Sequence, residues 1–182
     1  DSPISDGEIF KALRRLKVGK AGGVDGILSS ILKPAAGAVG TNKKGEVNEV
    51  VEALSLLFNF VFKHEVWPER WGKGIVFPLY KEDSRLDPGN YRPITLLSIV
   101  GKLFGSIIEN RLSTWSEKFN VLSDHQGGFR RGRGTPDLIF LLRKFILARK
   151  SLGYATFATF IDARKAFDTV WREGNYVRVH DL

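Results

Sequence analysis

The segment from Thr156 to Ile161 constrains the fold more than any other part of this sequence. It is rich in β-branched and aromatic residues, which predicts a strand buried on at least one face. Asp162 follows where that strand would end, and a helical pattern begins at Ala163. A carboxylate at the end of a buried strand can bind a hard cation, whereas an aspartate just before a helix can cap its first turn. The residues alone leave both interpretations open.

Composition narrows the classes of protein. The chain has 182 residues, of which 43% are hydrophobic, enough for one domain with a core or for part of a larger one. No apolar run approaches the length of a bilayer crossing, so we expect no membrane association. The absence of cysteine excludes disulfides, thiolate zinc sites and thiol nucleophiles, and the absence of methionine favours a fragmentary chain. A net charge of +8 favours a polyanionic partner, although solvated surfaces are often basic too.

The N-terminal third predicts helices joined by a glycine-rich turn. Ser5 and Glu8 fit a capping box at the start of a helix that ends before Gly19. The segment Lys20–Gly26 could bring backbone N–H groups to a phosphate, but a simple connector is the commoner use of such a turn. A wide apolar stripe from Val47 to Phe62 predicts a core helix. The three histidines are interpreted as ordinary polar residues, since none has a partner at metal-ligand spacing: His64, His125 and His180.

A hairpin and a third helix follow. Gly74–Lys81 and Tyr91–Leu97 read as two strands around the turn signal Asp87-Pro88-Gly89, with Lys81, Arg85 and Arg92 near the tip. The helix predicted over residues 100–118 has an apolar side, listed as Leu103, Phe104, Ile107, Ile108 and Leu112.

The segment Gln126–Thr135 interleaves three arginines with glycines and one aromatic residue. That composition suits contacts with phosphates and stacking on a base, and a flexible basic loop is the alternative. Thr135 and Pro136 then supply an N-cap and a first-turn proline for a helix to about Arg149. Its predicted core side is Ile139, Leu142, Phe145 and Ile146.

Taken in order, these segments resemble the reverse transcriptases of non-LTR (LINE-type) retrotransposons. The matching segments are the early glycine segment Lys20–Ile27, the paired hairpin segments Pro78–Lys81 and Asp87–Ser98, the loop Gln126–Thr135 and the segment Phe160–Asp168. The loop resembles the family's Q-x-G-F-R-x-G-R segment, and Phe160–Asp168 resembles its palm motif A. The resemblance covers nearly the whole chain, with minor departures at Gly134 and Pro136.

The resemblance implies an α+β fold that is part of a polymerase right hand. Residues 1–153 would be the fingers region, built from helices plus a β-hairpin. Residues 154–182 would be the N-terminal part of the palm, with its first strand and helix. We expect the later palm segments, including the strand with the tyrosine-x-Asp-Asp turn, beyond Leu182, because the sequence contains no Asp-Asp pair.

Asp162 is, by this resemblance, a catalytic residue and metal ligand. The family's reaction uses two Mg²⁺ ions, with Mn²⁺ as an alternative, roughly 4 Å apart at the reacting phosphate. Asp168 is not expected to join Asp162, since six helical residues turn its side chain by about 240°; it would brace the local fold instead. Phe167 would lie under the incoming sugar and reject a 2′-hydroxyl by its bulk, with a core aromatic as the alternative.

The resemblance also implies binding residues. Lys81 and Arg92 would contact the incoming triphosphate, as a compact charge and a bidentate fork respectively. The loop residues implied in nucleic-acid binding are Gln126, Phe129, Arg130, Arg131 and Arg133.

The sequence therefore predicts a fragment of an RNA-directed DNA polymerase. The full-length parent would transfer deoxynucleotidyl groups under template direction by a two-metal mechanism, with an RNA template, a DNA primer and dNTPs as partners, in the nucleus or cytoplasm. The alternative is a catalytically inactive, basic nucleic-acid-binding remnant of a retroelement, and we expect the isolated fragment to be inactive. A metal-dependent phosphohydrolase using Asp162 is disfavoured, because the sequence has no further paired Asp and His clusters.

Overall fold

The computed structural model describes residues 2–37, 48–163 and 166–180, which fall into two compact units, one within residues 1–112 and one within 113–182. The helices are α1 (Asp6–Arg15), α2 (Ser29–Leu32), α3 (Glu49–His64), α4 (Glu69–Gly72), α5 (Ile99–Lys118), α6 (Thr135–Ser151), α7 (Ala166–Thr169) and α8 (Arg172–His180). The strands are β1 (Gly74–Tyr80) and β2 (Tyr91–Leu97), and short 3₁₀ turns occupy Lys33–Gly37 and Pro88–Asn90. None of the described helices has the length and apolar character needed to span a bilayer.

All of the buried hydrophobic core found among the described residues lies in the first unit. Phe58 of α3 is fully buried at its centre, in edge-on contact with Trp71 at 6.0 Å and with Phe104 at 5.5 Å between ring centroids. Trp67 packs edge-on against Trp71 at 5.3 Å between ring centroids. Each buried aromatic ring adds apolar contact area that stabilises the unit, and edge-on pairs add to it. The other buried apolar residues come mainly from α1, α3 and α5: Ile9, Leu13, Val51, Leu54, Val61, Ile99, Val100, Leu103 and Ile107.

Two helices of this unit, α1 and α3, begin where a side chain caps the first N–H groups. Ser5 accepts a hydrogen bond from the Glu8 amide, and the Glu8 carboxylate accepts one from the Ser5 amide at 3.0 Å, which confirms the predicted capping box. Asn48 caps α3 by accepting from the Val51 amide at 3.3 Å. Val47, where the helical pattern was predicted to start, lies outside the described residues.

Close packing explains the glycine-rich turn before α2. A Cβ on Gly23 would stand 2.5 Å from the backbone of Leu97 and of Ser98, so only glycine fits there. The Gly26 amide donates to the Gly23 carbonyl at 3.1 Å, and Gly26 adopts a φ of +67°. These contacts favour the connector interpretation of Lys20–Gly26, because the glycine serves packing against the end of β2.

The predicted hairpin is present. β1 and β2 pair antiparallel, with Gly74 opposite Leu97 and Tyr80 opposite Tyr91. The Lys81 amide donates to the Asn90 carbonyl at 2.9 Å, which continues the ladder by one pair beyond the strands. Both strands are largely exposed to solvent. The hairpin is therefore a projecting ribbon and not part of a larger sheet in the described residues.

The second unit corrects three sequence predictions. Residues 156–161 form no strand, and Phe157, Phe160 and Ile161 are 94%, 82% and 92% exposed. A strand needs a neighbour to pair its N–H and C=O groups, and the only paired strands in the described residues are β1 and β2. The following helix begins at Ala166 and not at Ala163.

The third correction concerns the apolar side of α6, which was predicted to be buried. Its predicted core residues are all exposed: Ile139, Leu142, Phe145 and Ile146. No hydrophobic side chain is buried among the described residues of the second unit. In the same way Leu112, predicted to lie in the core side of α5, is 49% exposed. An apolar stripe predicts burial only where another element covers it, and the described residues provide no such cover for α6.

Candidate nucleic-acid and nucleotide site

The hairpin tip carries Lys81 and Arg92 on one face. Strand side chains alternate between faces, and Arg92 stands opposite Leu79 while Lys81 pairs with Asn90, so the two cations are diagonal neighbours on the same side of the ribbon. Both residues are exposed. A lysine and an arginine that converge on one open face can bind a multiply charged phosphate.

Glu82 pairs with one of these two cations. Its carboxylate forms an ion pair with the Lys81 ammonium. The pKa of Glu82 is lowered mainly by the hydrogen bond from Lys81, and the charge of Arg92 adds to the effect. The carboxylate of Glu82 therefore interacts electrostatically with both cations, and more strongly with Lys81.

The remaining polar groups of the tip hold its shape. The Tyr80 hydroxyl donates to the Asp83 carbonyl at 2.6 Å, and the Tyr91 hydroxyl donates to the Arg85 carbonyl at 2.9 Å. The Arg85 guanidinium lies 5.1 Å from the centroid of the Tyr80 ring, which is a cation–π contact. These bonds fix the turn between the two strands.

In the loop from Gln126 to Gly134, which we call the arginine loop, the aromatic residue is exposed to solvent whereas the side chain of the first arginine is not. Phe129 is 97% exposed and has a φ of 59°, in the left-handed region. The Arg130 side chain is only 5% exposed and binds the Glu117 carboxylate through two parallel hydrogen bonds of 2.8 and 2.6 Å. Its remaining terminal nitrogen donates to the Ser123 carbonyl at 2.9 Å.

The other arginines of the loop differ in their surroundings. Arg133 is 32% exposed and donates to the Asp124 carboxylate at 3.1 Å. Arg131 is exposed. The Gln126 side chain donates to the Gly128 carbonyl at 3.4 Å, within the loop itself. Sequence reasoning identified these residues but missed their carboxylate partners, Glu117 and Asp124. The available signal was Glu117, an acidic residue near the end of the helix that precedes the loop.

Asp162 lies in the segment from Tyr154 to Ala163, which is neither helix nor strand. It is exposed, and the next residue, Ala163, is not helical, so Asp162 does not occupy the N-cap position. The start of this segment is held by Arg149, whose guanidinium donates to the Thr156 hydroxyl at 3.2 Å and to the Ala155 carbonyl at 3.1 Å. Phe167 and Asp168 belong to α7, and their side chains lie outside the described part of the structure.

The described residues do not assemble a metal site by themselves. No group of three or more His, Cys, Asp or Glu side chains comes together in the part of the chain that the structure describes. Asp162 is an oxygen ligand of the type that Mg²⁺ prefers, but a single carboxylate does not complete the coordination of the ion.

Comparison with known proteins identifies the class. Residues 79–182 match the model of the family described as reverse transcriptase (RNA-dependent DNA polymerase). The matched region begins in β1 and includes the hairpin tip, the arginine loop and Asp162. The chain therefore belongs to the reverse transcriptase family, as it occurs in non-LTR retrotransposons.

Individual relatives agree with this assignment. The chain is 31% identical, over 99% of its length, to a probable RNA-directed DNA polymerase from transposon BS of Drosophila melanogaster. It is 33% identical over 70% of its length to the RNA-directed DNA polymerase from mobile element jockey of the same fly, and 30% identical over 71% to a Pol polyprotein from retrotransposable element R1 of Bradysia coprophila. The chain spans only 19%, 14% and 12% of the lengths of these relatives.

Proposed function

We propose that this chain is the fingers region, with the first palm segment, of an RNA-directed DNA polymerase. The full-length protein would bind an RNA template, a DNA primer and dNTPs, and transfer a deoxynucleotidyl group to the primer 3′-hydroxyl. The observation that carries this proposal is the match of residues 79–182 to the reverse transcriptase family, since that region holds every candidate site residue. Relatives named as RNA-directed DNA polymerases support the same reaction.

Within this function, Lys81 and Arg92 would bind the triphosphate of the incoming nucleotide. Their shared face on the hairpin supports the assignment, because two cations on one open surface can contact neighbouring phosphate oxygens. Glu82 would release Lys81 when the triphosphate binds, since both anions compete for the same ammonium.

Asp162 would provide one ligand for Mg²⁺, with Mn²⁺ as the alternative ion. When bound, the metal would supply Lewis-acid stabilisation of the reacting phosphate. Because no three or more His, Cys, Asp or Glu side chains come together among the described residues, further ligands would come from residues outside that part of the chain. Phe167 would lie beneath the incoming sugar.

The arginine loop would bind template or primer, with Phe129 stacking on a base and Arg131 and Arg133 near phosphates. The exposure of Phe129 supports this, since stacking on a base needs an open ring face. The second candidate function is binding of nucleic acid without catalysis. For residues 1–182 on their own it is favoured because the described residues bring no three or more potential metal ligands together.

Steady-state kinetics of a polymerase that contains this segment together with the rest of its polymerase domain would test the nucleotide assignment. Lys81→Gln and Arg92→Gln should each raise the KM for dNTPs by about tenfold or more, because a charge-assisted contact to phosphate is lost. Lys73→Gln is the matched control, since Lys73 is an exposed lysine paired with Glu69 at the base of the hairpin. An unchanged KM in both test variants would remove these residues from the nucleotide site.

A further inference from the structure

Arg130 is the least exposed charged side chain described in the arginine loop. Each of its three guanidinium nitrogens has a partner, with Nε and Nη2 bound to Glu117 and Nη1 bound to the Ser123 carbonyl. Only 5% of the side chain reaches solvent, compared with 97% of the neighbouring residue Phe129. A guanidinium in this state would have to give up a bidentate pair before it could meet a phosphate.

The Glu117–Arg130 pair joins the end of a helix to the middle of the loop. Glu117 lies in the last turn of α5, 13 residues before Arg130. Two parallel N–H···O bonds fix both the distance and the orientation of the two side chains. The hydrogen bond from Arg130 lowers the pKa of Glu117, and the same bond raises the pKa of Arg130, so both groups remain charged.

A second cross-link and a packing contact hold the rest of the loop. Arg133 binds Asp124 at 3.1 Å. Gly127 is buried, and a Cβ at this position would stand 2.5 Å from the side chain of Leu138. The loop backbone is therefore tied down on both sides of Phe129.

Phe129 needs such support. Residues other than glycine rarely adopt a φ such as this 59°, and they keep it where flanking contacts maintain the backbone. The residue immediately after it is Arg130, which is the most firmly held residue of the loop. The anchor thus stands next to the strained position and opposes its relaxation.

We propose that Arg130 is a positioning residue, which pairs with Glu117 to fix the arginine loop and hold the exposed Phe129 ring ready to stack on a base of single-stranded nucleic acid. The inference rests on the proposed function of this loop in nucleic-acid binding. It replaces a phosphate contact by Arg130 with a role inside the protein, and the two roles have opposite consequences when Glu117 is changed.

Glu117→Gln separates the two roles by the sign of its effect. If Arg130 anchors the loop, loss of the carboxylate frees the loop and should weaken binding of a fluorescein-labelled oligo(dT) by about tenfold, the effect of losing one charge-assisted pair. If Arg130 contacts phosphate, removal of its competing carboxylate should strengthen binding. Fluorescence anisotropy with the full chain measures the affinity, and tighter binding overturns the proposal.

The salt dependence of binding distinguishes a structural role from a phosphate contact, because only loss of a phosphate contact changes the slope of log affinity against log salt. Arg130→Ala should weaken binding while leaving the slope of log affinity against log salt unchanged. Arg131→Ala is the matched control, and should reduce that slope by about 0.7, as expected for one phosphate contact on a single strand. A similar reduction in the slope for Arg130→Ala would overturn the proposal.

A charge-reversed pair guards against variants that fail to fold. Arg130→Glu combined with Glu117→Arg should restore at least part of the affinity, and hydrogen exchange at residues 127–133 should slow towards the wild-type rate. Rescue of neither quantity in a variant whose melting temperature matches that of the wild type would overturn the anchor. Failure of the proposed function is distinguishable, because the wild-type chain would then not bind oligo(dT), or Phe129→Ala and Arg131→Ala would both leave its affinity unchanged.

Discussion

Arg111 and Glu8 form the most strongly bonded ion pair of the first unit. The guanidinium donates to the two Glu8 oxygens at 2.7 and 2.8 Å, and to the carbonyls of Ser2 and Pro3 at 2.8 Å each. Its carbon atom also lies 5.4 Å from the centroid of the Phe62 ring. The hydrogen bond from Arg111 is the main reason that the pKa of Glu8 falls from 4.5 to about 2. One arginine thus fixes the start of α1 and the segment before it.

Acid should weaken this unit through Glu8. Because the folded-state pKa is lower than the unfolded one, the stabilisation is complete above pH 4.5 and is lost as the pH falls towards about 2. With side chains 24% and 26% exposed, we expect a loss of about 1–2 kcal/mol after solvent screening. Urea unfolding of wild type and Glu8→Gln between pH 6 and pH 2 measures the difference, which should shrink at low pH. A constant difference across this range would contradict the prediction.

Phe167 offers a residue-scale test of the proposed sugar contact, in a polymerase that contains this segment with the rest of its polymerase domain. If the ring lies beneath the sugar, Phe167→Ala should admit ribonucleotides, because steric overlap of about 1–3 kcal/mol is removed. If the ring packs in a core, the same change should lower stability by about 3–5 kcal/mol without altering sugar selectivity. The ratio of kcat/KM for a dNTP and its matching rNTP, measured with a thermal melt, decides between them. Phe157→Ala is a control on a ring that is 94% exposed.

At this scale the sequence predicts the cations better than their partners. Lys81, Arg92 and the three loop arginines stand out because charge is visible in the residue type. Their pairing with Glu82, Glu117 and Asp124 depends on the conformation of the loops that carry them, and no local sequence pattern predicts that conformation. Arg111 gave no sequence signal at all, since its partner Glu8 is 103 residues away.

Among the elements, the hairpin combines two exposed faces with two open edges. The bond from Lys81 to Asn90 fixes the alternation of the ladder, so Pro78 and Pro93 face each other at a non-hydrogen-bonded pair. At such a pair the N–H groups of both residues would point to the outer edges of the ribbon. Proline has no N–H, so each outer edge lacks a donor at its middle.

We expect these prolines to prevent the ribbon from adding strands. Pro78→Val with Pro93→Val should restore an edge donor on each side and promote self-association, while changing hairpin stability by less than about 1 kcal/mol. Sedimentation velocity at increasing protein concentration measures the effect. Pro88→Ala, in the turn outside both strands, is the matched control. A monomeric double variant would show that other features protect the edges.

Prediction at the level of elements succeeded where the signals are local. The capping box of α1 and the Asp87-Pro88-Gly89 turn each lie within four residues, and both were confirmed. The strand over residues 156–161 was wrong because a strand depends on a neighbour far along the chain or outside it. The core side of α6 failed for the same reason, since amphipathicity specifies a face but not what covers it.

On the scale of the whole molecule, the two units differ in what holds them together. The first has a continuous apolar core, and the second has none among its described residues. The chain also represents less than one fifth of each relative's length, and carries a net charge of +8. We expect it to bind nucleic acid electrostatically without completing the chemistry of a polymerase.

Purified residues 1–182 should therefore show no primer extension on an RNA template, because a two-metal site needs several ligands and the described residues bring no three or more His, Cys, Asp or Glu side chains together. The same preparation should bind oligo(dT) with an affinity that falls as salt rises. Extension assays with labelled primer, run beside a longer polymerase containing this segment, check both statements. Extension by the short chain that disappears in Asp162→Asn would refute the prediction.

The bond between Arg111 and Glu8 also sets an order of events during synthesis. The two residues are 103 positions apart, so at about 5–20 residues per second Arg111 is made roughly 5–20 s after Glu8. Until then the Glu8 carboxylate and the carbonyls of Ser2 and Pro3 lack the Arg111 guanidinium that binds them in the folded unit. Asn59, whose amide binds the backbone of Ile4, arrives about halfway through this interval. The segment from Ser2 to Glu8 is therefore fixed first by Asn59 and last by Arg111.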